Sequence, residues 1–430
     1  MKKQFIIYAF ILFFLGCKGT AEKKIDSELA QQIQQDERLS TVRSMAENLL
    51  KEGLNAGDSY NEIWIRDLNT FIELACRVGD VSKIRESLIT FFKFQGKDGN
   101  IVDGYVEKND SQIPYNFYYS DLAPEFAAHK NTVETDQESS LIQAIAKYIR
   151  TTGDKSILQE AVNGRTVEQR MGDALNFLMT ERYNEQYGLL WGATTADWGD
   201  VQPEHDWGVN IDSTSHLCLD IYDNAMFIIA IKDYLEIAEK ADKTLWNKTS
   251  KQIADNVRKH LWDSDKQKFI PHIYLDGSPF PADFDENAIY YHGGTTIAIE
   301  AGLLTPDEIL AAYNKMKENV RAAKAQTIGL TMYPTYPEGF FKNKGMAPYN
   351  YQNGGDWTWY GGRLVQQLIA NGFYSEAYEA ISPILDRTIK HNNFYEWWTP
   401  EGIPHCGNFR GSAGVLWKAI LMFDDTIKNN

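Results

Sequence analysis

The chain has 430 residues, of which 43% are hydrophobic and 13% aromatic, and its formal net charge is −16. This length allows one large core or two domains, and the four cysteines show no CxxC or Cys/His spacing that would indicate a zinc site or a disulfide framework. The negative charge argues against nucleic acid and anionic membrane surfaces as partners, and suits an enzyme that acts on neutral or basic ligands.

The first segment of the chain is typical of an export signal. A basic start, Met1-Lys2-Lys3, precedes a mostly apolar run from Gln4 to Phe14, which is shorter than a membrane span requires. Gly16 followed by Cys17 resembles the lipobox of bacterial lipoproteins, in which the cysteine becomes the lipidated first residue of the mature chain. This resemblance implies a signal peptide over residues 1–16, lipid attachment at Cys17, and a bacterial cell-envelope protein facing the periplasm or the outside. The alternative is a plain secretory signal.

A polar segment over residues 17–38 predicts a tether, and one continuous domain over residues 39–430 is expected because no Pro/Gly/Ser linker interrupts it. Within this domain, apolar residues recur at the spacing of amphipathic helices. After a first helix that follows the tether, the pattern predicts helices over Leu68–Val78, Ser82–Phe94, Ser139–Thr151, Val167–Arg182, Tyr222–Ala238, Trp246–Leu261, Ala288–Ala301, Pro306–Asn319, Gly362–Asn371, Ser375–Lys390 and Ser412–Phe423.

These helices come in pairs. Short turns, such as Gly79-Asp80 and Gly372-Phe373, recur roughly every 70 residues, and six such hairpins would use up the chain. The arithmetic predicts an all-α protein with an (α/α)6 barrel, in which an inner and an outer ring hold six helices each. Long loops rich in glycine and aromatic residues would then share one face, where we expect the functional site. A helical-repeat scaffold would give similar spacing, but it would not explain why the loops hold the tryptophans and carboxylates.

The first candidate motif is Trp64-Ile65-Arg66-Asp67, just before an apolar helical run. Arg66 and Asp67 can each bond two adjacent hydroxyl groups, and the indole of Trp64 can stack on a sugar ring. The motif therefore indicates sugar binding. The alternative is an Arg-Asp ion pair at a helix start, where an acid also suits the helix dipole.

The second motif is Asp197-Trp198-Gly199-Asp200, in a loop near the middle of the chain. A carboxylic acid beside an indole and a second carboxylate should have a raised pKa, as a general acid requires. Trp198 would add a stacking surface. The alternatives are a solvated acidic loop, or an oxygen-ligand calcium site that uses Asp200, Glu204 and Asp206.

The third motif surrounds Glu396, which has Tyr395 on one side and Trp397 and Trp398 on the other. A glutamate among three aromatic residues is unusual at a surface and is a candidate general base, with Trp397 as a candidate sugar-binding residue. Two alternatives remain open. Glu396 could only accept a hydrogen bond from Arg410, and Glu401 could be the base instead.

The fourth motif runs from Asn353 to Arg363 and is rich in glycine. Glycines let a backbone approach a ligand closely, Trp357 and Trp359 offer stacking faces, and Arg363 could bond hydroxyl groups. Because no βαβ context surrounds it, this glycine pattern does not predict a nucleotide-binding loop.

The four motifs together resemble the six-hairpin glycosidases, a superfamily that includes glucoamylases, trehalases, and processing and debranching glucosidases. Trp-x-Arg-Asp before a first inner helix looks like their sugar-binding motif, which implies that Arg66 and Asp67 hold the sugar in the −1 subsite. Asp197 to Asp200 resembles the Asp-Trp-Asn-Asp of related disaccharide phosphorylases, which implies Asp200 as the acid and Asp197 in reserve. Glu396 matches the position of the hydrolases' base. Two departures are Gly199 in place of asparagine and no room for the N-terminal β-sandwich of many relatives.

The resemblance implies an inverting, exo-acting glycoside hydrolase. Asp200 would protonate the leaving oxygen and Glu396 would activate water, with the two carboxyl groups about 6.5–9.5 Å apart. Trp64, Arg66, Asp67 and Trp357 would position the sugar. We expect an oligo- or polysaccharide substrate, a monomer, and no cofactor, with a calcium ion left open. Three alternatives are a disaccharide phosphorylase, a lyase or epimerase on the same barrel that uses His205, His292 or His405 as its base, and a glycan-binding surface lipoprotein.

Overall fold

The computed structural model describes residues 24–111, 117–207 and 209–430. Helices dominate this part of the chain: α1 Ser27–Gln35, α2 Glu37–Leu49, α3 Ile65–Val78, α4 Val81–Lys93, α5 Gln137–Thr152, α6 Val167–Glu181, α7 Ile221–Ile237, α8 Lys243–His260, α9 His292–Glu300, α10 Pro306–Ala323, α11 Thr358–Ala370, α12 Tyr374–His391 and α13 Arg410–Lys428.

Local sequence signals explain where these helices begin and end. Thr166 and Gln169 form a capping box at the start of α6, and Thr305 and Glu308 form another at the start of α10. Each pair satisfies two backbone N–H groups that the first turn of a helix leaves unbonded. Gly153 ends α5 in the left-handed region, with φ at 76°, which costs a glycine little.

Six helices form a closed inner ring in the order α3, α5, α7, α9, α11 and α13, and α13 packs back against α3. Six others, α2, α4, α6, α8, α10 and α12, pack outside them, each against a neighbouring inner helix. The inner helices are buried on most of their faces, as the nearly continuous apolar sequence of α7 requires. The (α/α)6 barrel that the turn spacing predicts is therefore confirmed.

Short connections lead from α3, α7, α9 and α11 to the next outer helix, and a longer one over residues 153–166 leads from α5 to α6. Long loops lead from each outer helix to the next inner one. The long loops carry most of the small sheets. One has the antiparallel order β1-β2-β4-β3, with β1 Ile63–Trp64, β2 Gly104–Glu107, β3 Phe117–Tyr118 and β4 Phe126–His129. A second joins β9 Gly192–Ala193, β10 Leu217–Leu219 and β13 Ile273–Tyr274.

The remaining strands form two-stranded pairs: β5 Ala161–Val162 with β6 Arg165–Thr166, β7 Tyr183–Asn184 with β8 Leu189–Leu190, β11 Trp262–Asp263 with β12 Lys268–Phe269, β14 Tyr290–Tyr291 with β15 Met332–Tyr333, and β16 Trp397–Trp398 with β17 Pro404–His405. Apart from β5–β6, which lies between α5 and α6, these short pairings fix the paths of the loops above the N-terminal ends of the inner helices. Side chains carried by the loops and by the first helical turns therefore meet on one face of the barrel.

The N-terminal region differs from the predicted tether. Residues 17–38, predicted as a tether, include helix α1. Asp26 caps this helix, and Ala30 and Ile33, three residues apart, are buried in the core. The predicted signal peptide over residues 1–16 and the lipid site at Cys17 lie outside the described residues. No helix in the described part of the chain has the length and apolar character to cross a bilayer.

Candidate active site

A cavity of about 580 Å³ lies where the long loops meet the first turns of the inner helices. Its volume is typical of small-ligand pockets, which span about 300–1,000 Å³. Among the described residues, its wall holds five carboxyl groups and one guanidinium group. The charged and indole-bearing residues of the wall are Asp67, Asp103, Glu134, Asp200, Glu396, Arg66, Trp64, Trp198, Trp207, Trp357 and Trp359.

The first motif reaches the cavity because α3 begins inside it. Trp64 ends strand β1 and pairs with Gly104 of β2, and α3 starts at the next residue. A Cβ atom on Gly104 would lie 2.5 Å from the Trp64 ring, so a larger residue at this position would clash with the indole. Arg66 and Asp67 consequently lie in the first turn of α3, at the cavity wall.

Arg66 is held by two carboxylates from the start of α5. Its Nε donates to Asp136 Oδ2 at 2.8 Å, and its Nη2 forms an ion pair with Glu134. The guanidinium carbon also lies 5.8 Å from the centre of the Trp198 ring. The guanidinium group is thus fixed in direction, as a residue that positions a ligand must be.

Asp67 is half-buried in the same wall. Desolvation raises its pKa to about 7, with the nearby charges of Asp200 and Asp136 adding to the rise and Arg66 opposing it. Near neutral pH the Asp67 carboxyl can therefore either donate or accept a hydrogen bond, which suits a partner rich in hydroxyl groups.

Asp200 enters the cavity from the long loop between α6 and α7. Gln352 holds it through two hydrogen bonds: the Gln352 Nε2 donates to Asp200 Oδ1 at 2.7 Å, and the backbone N–H of Asp200 donates to Gln352 Oε1 at 3.2 Å. A Cβ atom on Gly199 would lie 2.9 Å from Gln352 Oε1, so the glycine makes room for this contact. Desolvation raises the pKa of Asp200, against the opposing charge of Arg66.

Glu396 enters from the loop between α12 and α13, directly before strand β16. Its backbone N–H donates to the carbonyl groups of His405 and Cys406, which fixes the side chain's origin, and Tyr60 Oη donates to Glu396 Oε1 at 3.0 Å. The side chain is buried. Desolvation raises the pKa of Glu396, and the negative charge of Asp67 and then that of Asp200 act in the same direction.

Indole rings supply the apolar part of the wall. Trp198 packs edge-on against Trp357, with ring centroids 4.6 Å apart, and lies against Trp359 and Tyr360 at the start of α11. At the rim, Trp207 is 72% exposed, although it lines the cavity. Such an exposed indole at an entrance can stack on a ligand group that extends outward.

Three candidates from the sequence lie outside the cavity wall. Asp197 is buried with φ at 58° and accepts the backbone N–H of Gly294 at 2.9 Å, which places it at the first turn of α9. Arg363 is buried and pairs with Glu300 at 2.8 Å. Trp397 stacks on His405, with ring centroids 3.8 Å apart. The contacts of these three residues are with other parts of the protein and away from the cavity. The other predicted residues all line the cavity: Trp64, Arg66, Asp67, Trp198, Asp200, Trp357, Trp359 and Glu396.

The residues named in the alternatives for Glu396 and for a calcium site make other contacts. Arg410 donates to the Asn55 carbonyl group rather than to Glu396, and Glu401 is exposed at a turn. Glu204, proposed as a calcium ligand, has His216 Nδ1 at 2.5 Å from its Oε1. No group of three His, Cys, Asp or Glu side chains within the described ranges has an arrangement that could hold a metal ion.

Sequence reasoning missed several residues of the wall, above all Asp103, Glu134, Gln352 and Tyr60. A signal was present for Glu134, because it and Asp136 directly precede an inner helix, as Arg66 and Asp67 open another. For Asp103, the glycine that follows it was a weaker indication of a site, because glycine lets a backbone approach a ligand. Gln352 has no local signature, since its role depends on a contact with a residue 152 positions away.

No family model and no curated protein sequence matches the chain. Solved structures do resemble it. An uncharacterized conserved protein from Thermus thermophilus matches with a TM-score of 0.63 and 15% identity, over 87% of this chain and 99% of its own. A GH63 mannosylglycerate hydrolase from the same organism, in complex with glucose, matches with a TM-score of 0.63 and 15% identity, over 89% and 99%.

A more distant likeness is a rhamnosidase from Klebsiella oxytoca with rhamnose bound, with a TM-score of 0.55 and 13% identity, over 92% of this chain and 65% of that one. Identities this low carry information about the backbone and not about substrates. The comparisons therefore establish that the chain has the fold of these proteins, the same ring of paired helices that its own contacts form.

Proposed function

We propose that the protein is an inverting, exo-acting glycoside hydrolase, with Asp200 as the general acid and Glu396 as the general base. The observation that carries the proposal is that these two carboxyls, 196 positions apart in sequence, line one cavity together with Trp64, Trp198, Trp357 and Trp359. Two carboxyl groups facing one sugar-sized site are the machinery that glycoside hydrolysis requires. The hydrolase and rhamnosidase among the structurally similar proteins support this choice of reaction.

In the proposed mechanism, Asp200 gives its proton to the oxygen of the departing group as the glycosidic bond breaks. Glu396 takes a proton from a water molecule that attacks the anomeric carbon from the opposite face of the ring. Burial raises the pKa of Asp200, which favours its protonated form, and it also raises the pKa of Glu396 to about 8. The proposed roles therefore require that, with substrate bound, the proton lies on Asp200 and not on Glu396. Tyr60 donates to one oxygen of Glu396 and leaves the other available for the water.

The cavity residues divide the remaining work. Indole faces stack on the sugar, and Asp67 and Arg66 bond its hydroxyl groups, with Arg66 aligned by Asp136 and Glu134. Trp207 at the rim would contact the departing part of the substrate. A cavity of about 580 Å³ has the size of a small-ligand pocket, which favours a substrate that enters by its end and is the basis for proposing exo action.

Two rival functions are less well supported by the site. A phosphorylase would use phosphate in place of the water that Glu396 activates, so Glu396 would have no task. A lyase or epimerase needs a histidine or tyrosine base, and the wall residues described include none of His205, His292 and His405. Tyr60 and Tyr351 do line the wall, but burial raises the pKa of both phenols well above the ordinary value, which disfavours the ionised form that a base requires. His292 is buried with a pKa lowered by desolvation to about 3, beside Asn319.

The proposal is tested by incubating the purified protein with a panel of neutral oligosaccharides and following the products by NMR. We expect release of a terminal monosaccharide whose first-formed anomer is opposite to that of the substrate. Retention of configuration would contradict the inverting assignment. Binding without any product would instead favour a glycan-binding lipoprotein anchored through Cys17.

Gln352 is expected to act as a positioning residue for Asp200. Gln352→Met keeps the volume but removes both hydrogen bonds to Asp200, so we expect kcat to fall by about ten- to a hundredfold with little change in KM. Because the Gln352 bond lowers the pKa of Asp200, its loss should move the basic limb of the pH–rate profile to higher pH.

The matched control is Gln252→Met on the exposed face of α8, which should leave kcat and the basic limb unchanged. A lower kcat in Gln352→Met with an unmoved basic limb would show that Gln352 supports the fold of the loop rather than the proton on Asp200.

A further inference from the structure

The cavity wall has an excess of acidic over basic groups. Five carboxyl groups line it, and within the described residues Arg66 is the one cationic side chain in its wall. Neutral sugars need hydrogen-bond partners for their hydroxyl groups, and uncharged amide and hydroxyl side chains supply these as well as carboxylates do. The excess is thus larger than the proposed hydrolysis of a neutral sugar requires.

Arg66 cannot neutralise this excess. Its guanidinium group is already shared between Asp136 and Glu134. Lys130, the next cation in the region, donates to the Ile101 carbonyl and to Gln137 Oε1 and is not part of the wall. Asp67 and Asp103 are therefore left facing the cavity without a cationic side chain of their own.

Glu134 gives a second and independent indication. It is buried, with 6% of its surface exposed, and it lines the cavity. Its Oε2 takes the contacts with Arg66 and Gln137, whereas its Oε1 has no hydrogen-bond partner among the described residues. A buried carboxylate oxygen without a partner is costly, and a ligand that donates to it would recover that cost.

We propose that the cavity selects a cationic sugar unit, one that carries an ammonium group, over its neutral counterpart, and that it rejects acidic sugars. The ammonium would lie among Asp67, Asp103 and Glu134, and the surrounding indoles would add cation–π attraction. This inference rests on the proposed function, which is the reason for expecting a sugar in the cavity. Burial raises the pKa of Asp103, and the negative charges of Asp136 and Asp200 act in the same direction against those of Arg66 and Lys130, so an amine would relieve part of this repulsion.

The inference is tested by equilibrium binding, which does not depend on turnover. The probes are glucosamine, glucose and glucuronate, with the corresponding galacto and manno sets, titrated by calorimetry at pH 7 in low salt. In at least one set we expect the amino sugar to bind at least tenfold more tightly than the neutral sugar, with the uronate weakest. Because the attraction is between charges, the tenfold preference should shrink in high salt.

Two variants locate the effect. Asp103→Asn and Glu134→Gln keep their shapes and should each reduce the preference for the amino sugar by about threefold or more. Binding of the neutral sugar should change little in Asp103→Asn, whereas it should also weaken in Glu134→Gln, because Glu134 aligns Arg66. Glu318→Gln, on the exposed face of the outer helix α10, is the control and should leave the preference unchanged.

A neutral sugar that binds as tightly as its amine in all three sets would overturn the inference, as would a uronate that binds more tightly than either. Preference retained in both Asp103→Asn and Glu134→Gln would also overturn it, because these groups are its proposed source. Amine preference without hydrolysis of any glycoside would leave this inference standing and remove the proposed function. Hydrolysis of neutral glycosides without amine preference would do the reverse.

Discussion

Asp200→Asn is expected to lower kcat on natural glycosides by about three orders of magnitude or more, with little change in KM. The reason is that the amide has no proton of suitable acidity for the departing oxygen. The change is nearly isosteric, and the asparagine Oδ1 can still accept the Gln352 Nε2–H. The loss should therefore appear in the chemical step and not in binding or folding, as steady-state kinetics beside a thermal melt would show.

A substrate with a good leaving group separates the role of Asp200 from other causes of inactivity. A dinitrophenyl glycoside of the cleaved sugar needs no proton for departure, so Asp200→Asn should recover most of the wild-type rate on it. Glu396→Gln should recover little, because the attacking water would still lack its base. Recovery in Glu396→Gln instead of Asp200→Asn would show that the two roles are exchanged.

Asp197→Asn is the matched control for Asp200→Asn. Asparagine tolerates the positive φ of this position and keeps an oxygen to accept the Gly294 N–H, so the first turn of α9 should remain in place. We expect kcat to stay within about tenfold of wild type. Wild-type turnover in Asp200→Asn combined with an inactive Asp197→Asn would contradict the assignment of the acid.

The barrel was predictable because its signals are local and repeated. Apolar spacing marked the helices from α3 to α13, and turns such as Gly79-Asp80 marked where an inner helix gives way to an outer one. Helix α1 was assigned to the tether because its sequence is polar overall. Ala30 and Ile33 of this helix are buried, and α1 packs against the distant α13, a contact that a local pattern does not contain.

The site was predictable only where chemistry is concentrated in a short segment. Arg66, Asp67, Asp200 and Glu396 stood out because each lies beside an indole, and the structure places all four in one cavity. The same pattern misled for Trp397, whose indole stacks on His405 across the β16–β17 pair. Composition around a residue shows that it is unusual, whereas only the fold shows which way its side chain points.

Glu396→Gln is expected to lower kcat by about three orders of magnitude or more as well, because glutamine cannot take a proton from the attacking water. Its Oε1 can still accept the Tyr60 Oη–H, so the loop before β16 should keep its conformation. Product analysis of the residual reaction by NMR, beside a thermal melt at the same pH, checks both expectations. Near-normal hydrolysis in this variant would point to a phosphorylase.

The pH dependence of the rate tests the acid role of Asp200 and the base role of Glu396 independently. In the wild type, activity should fall on the acidic side as Glu396 becomes protonated and on the basic side as Asp200 loses its proton. Because burial raises the pKa of both groups, both limbs should lie above the ordinary carboxyl value of about 4. Glu396→Gln should lose the acidic limb and keep the basic one, and Asp200→Asn the reverse. An acidic limb that persists in Glu396→Gln would mean that another carboxylate, with Asp67 the nearest candidate, activates the water.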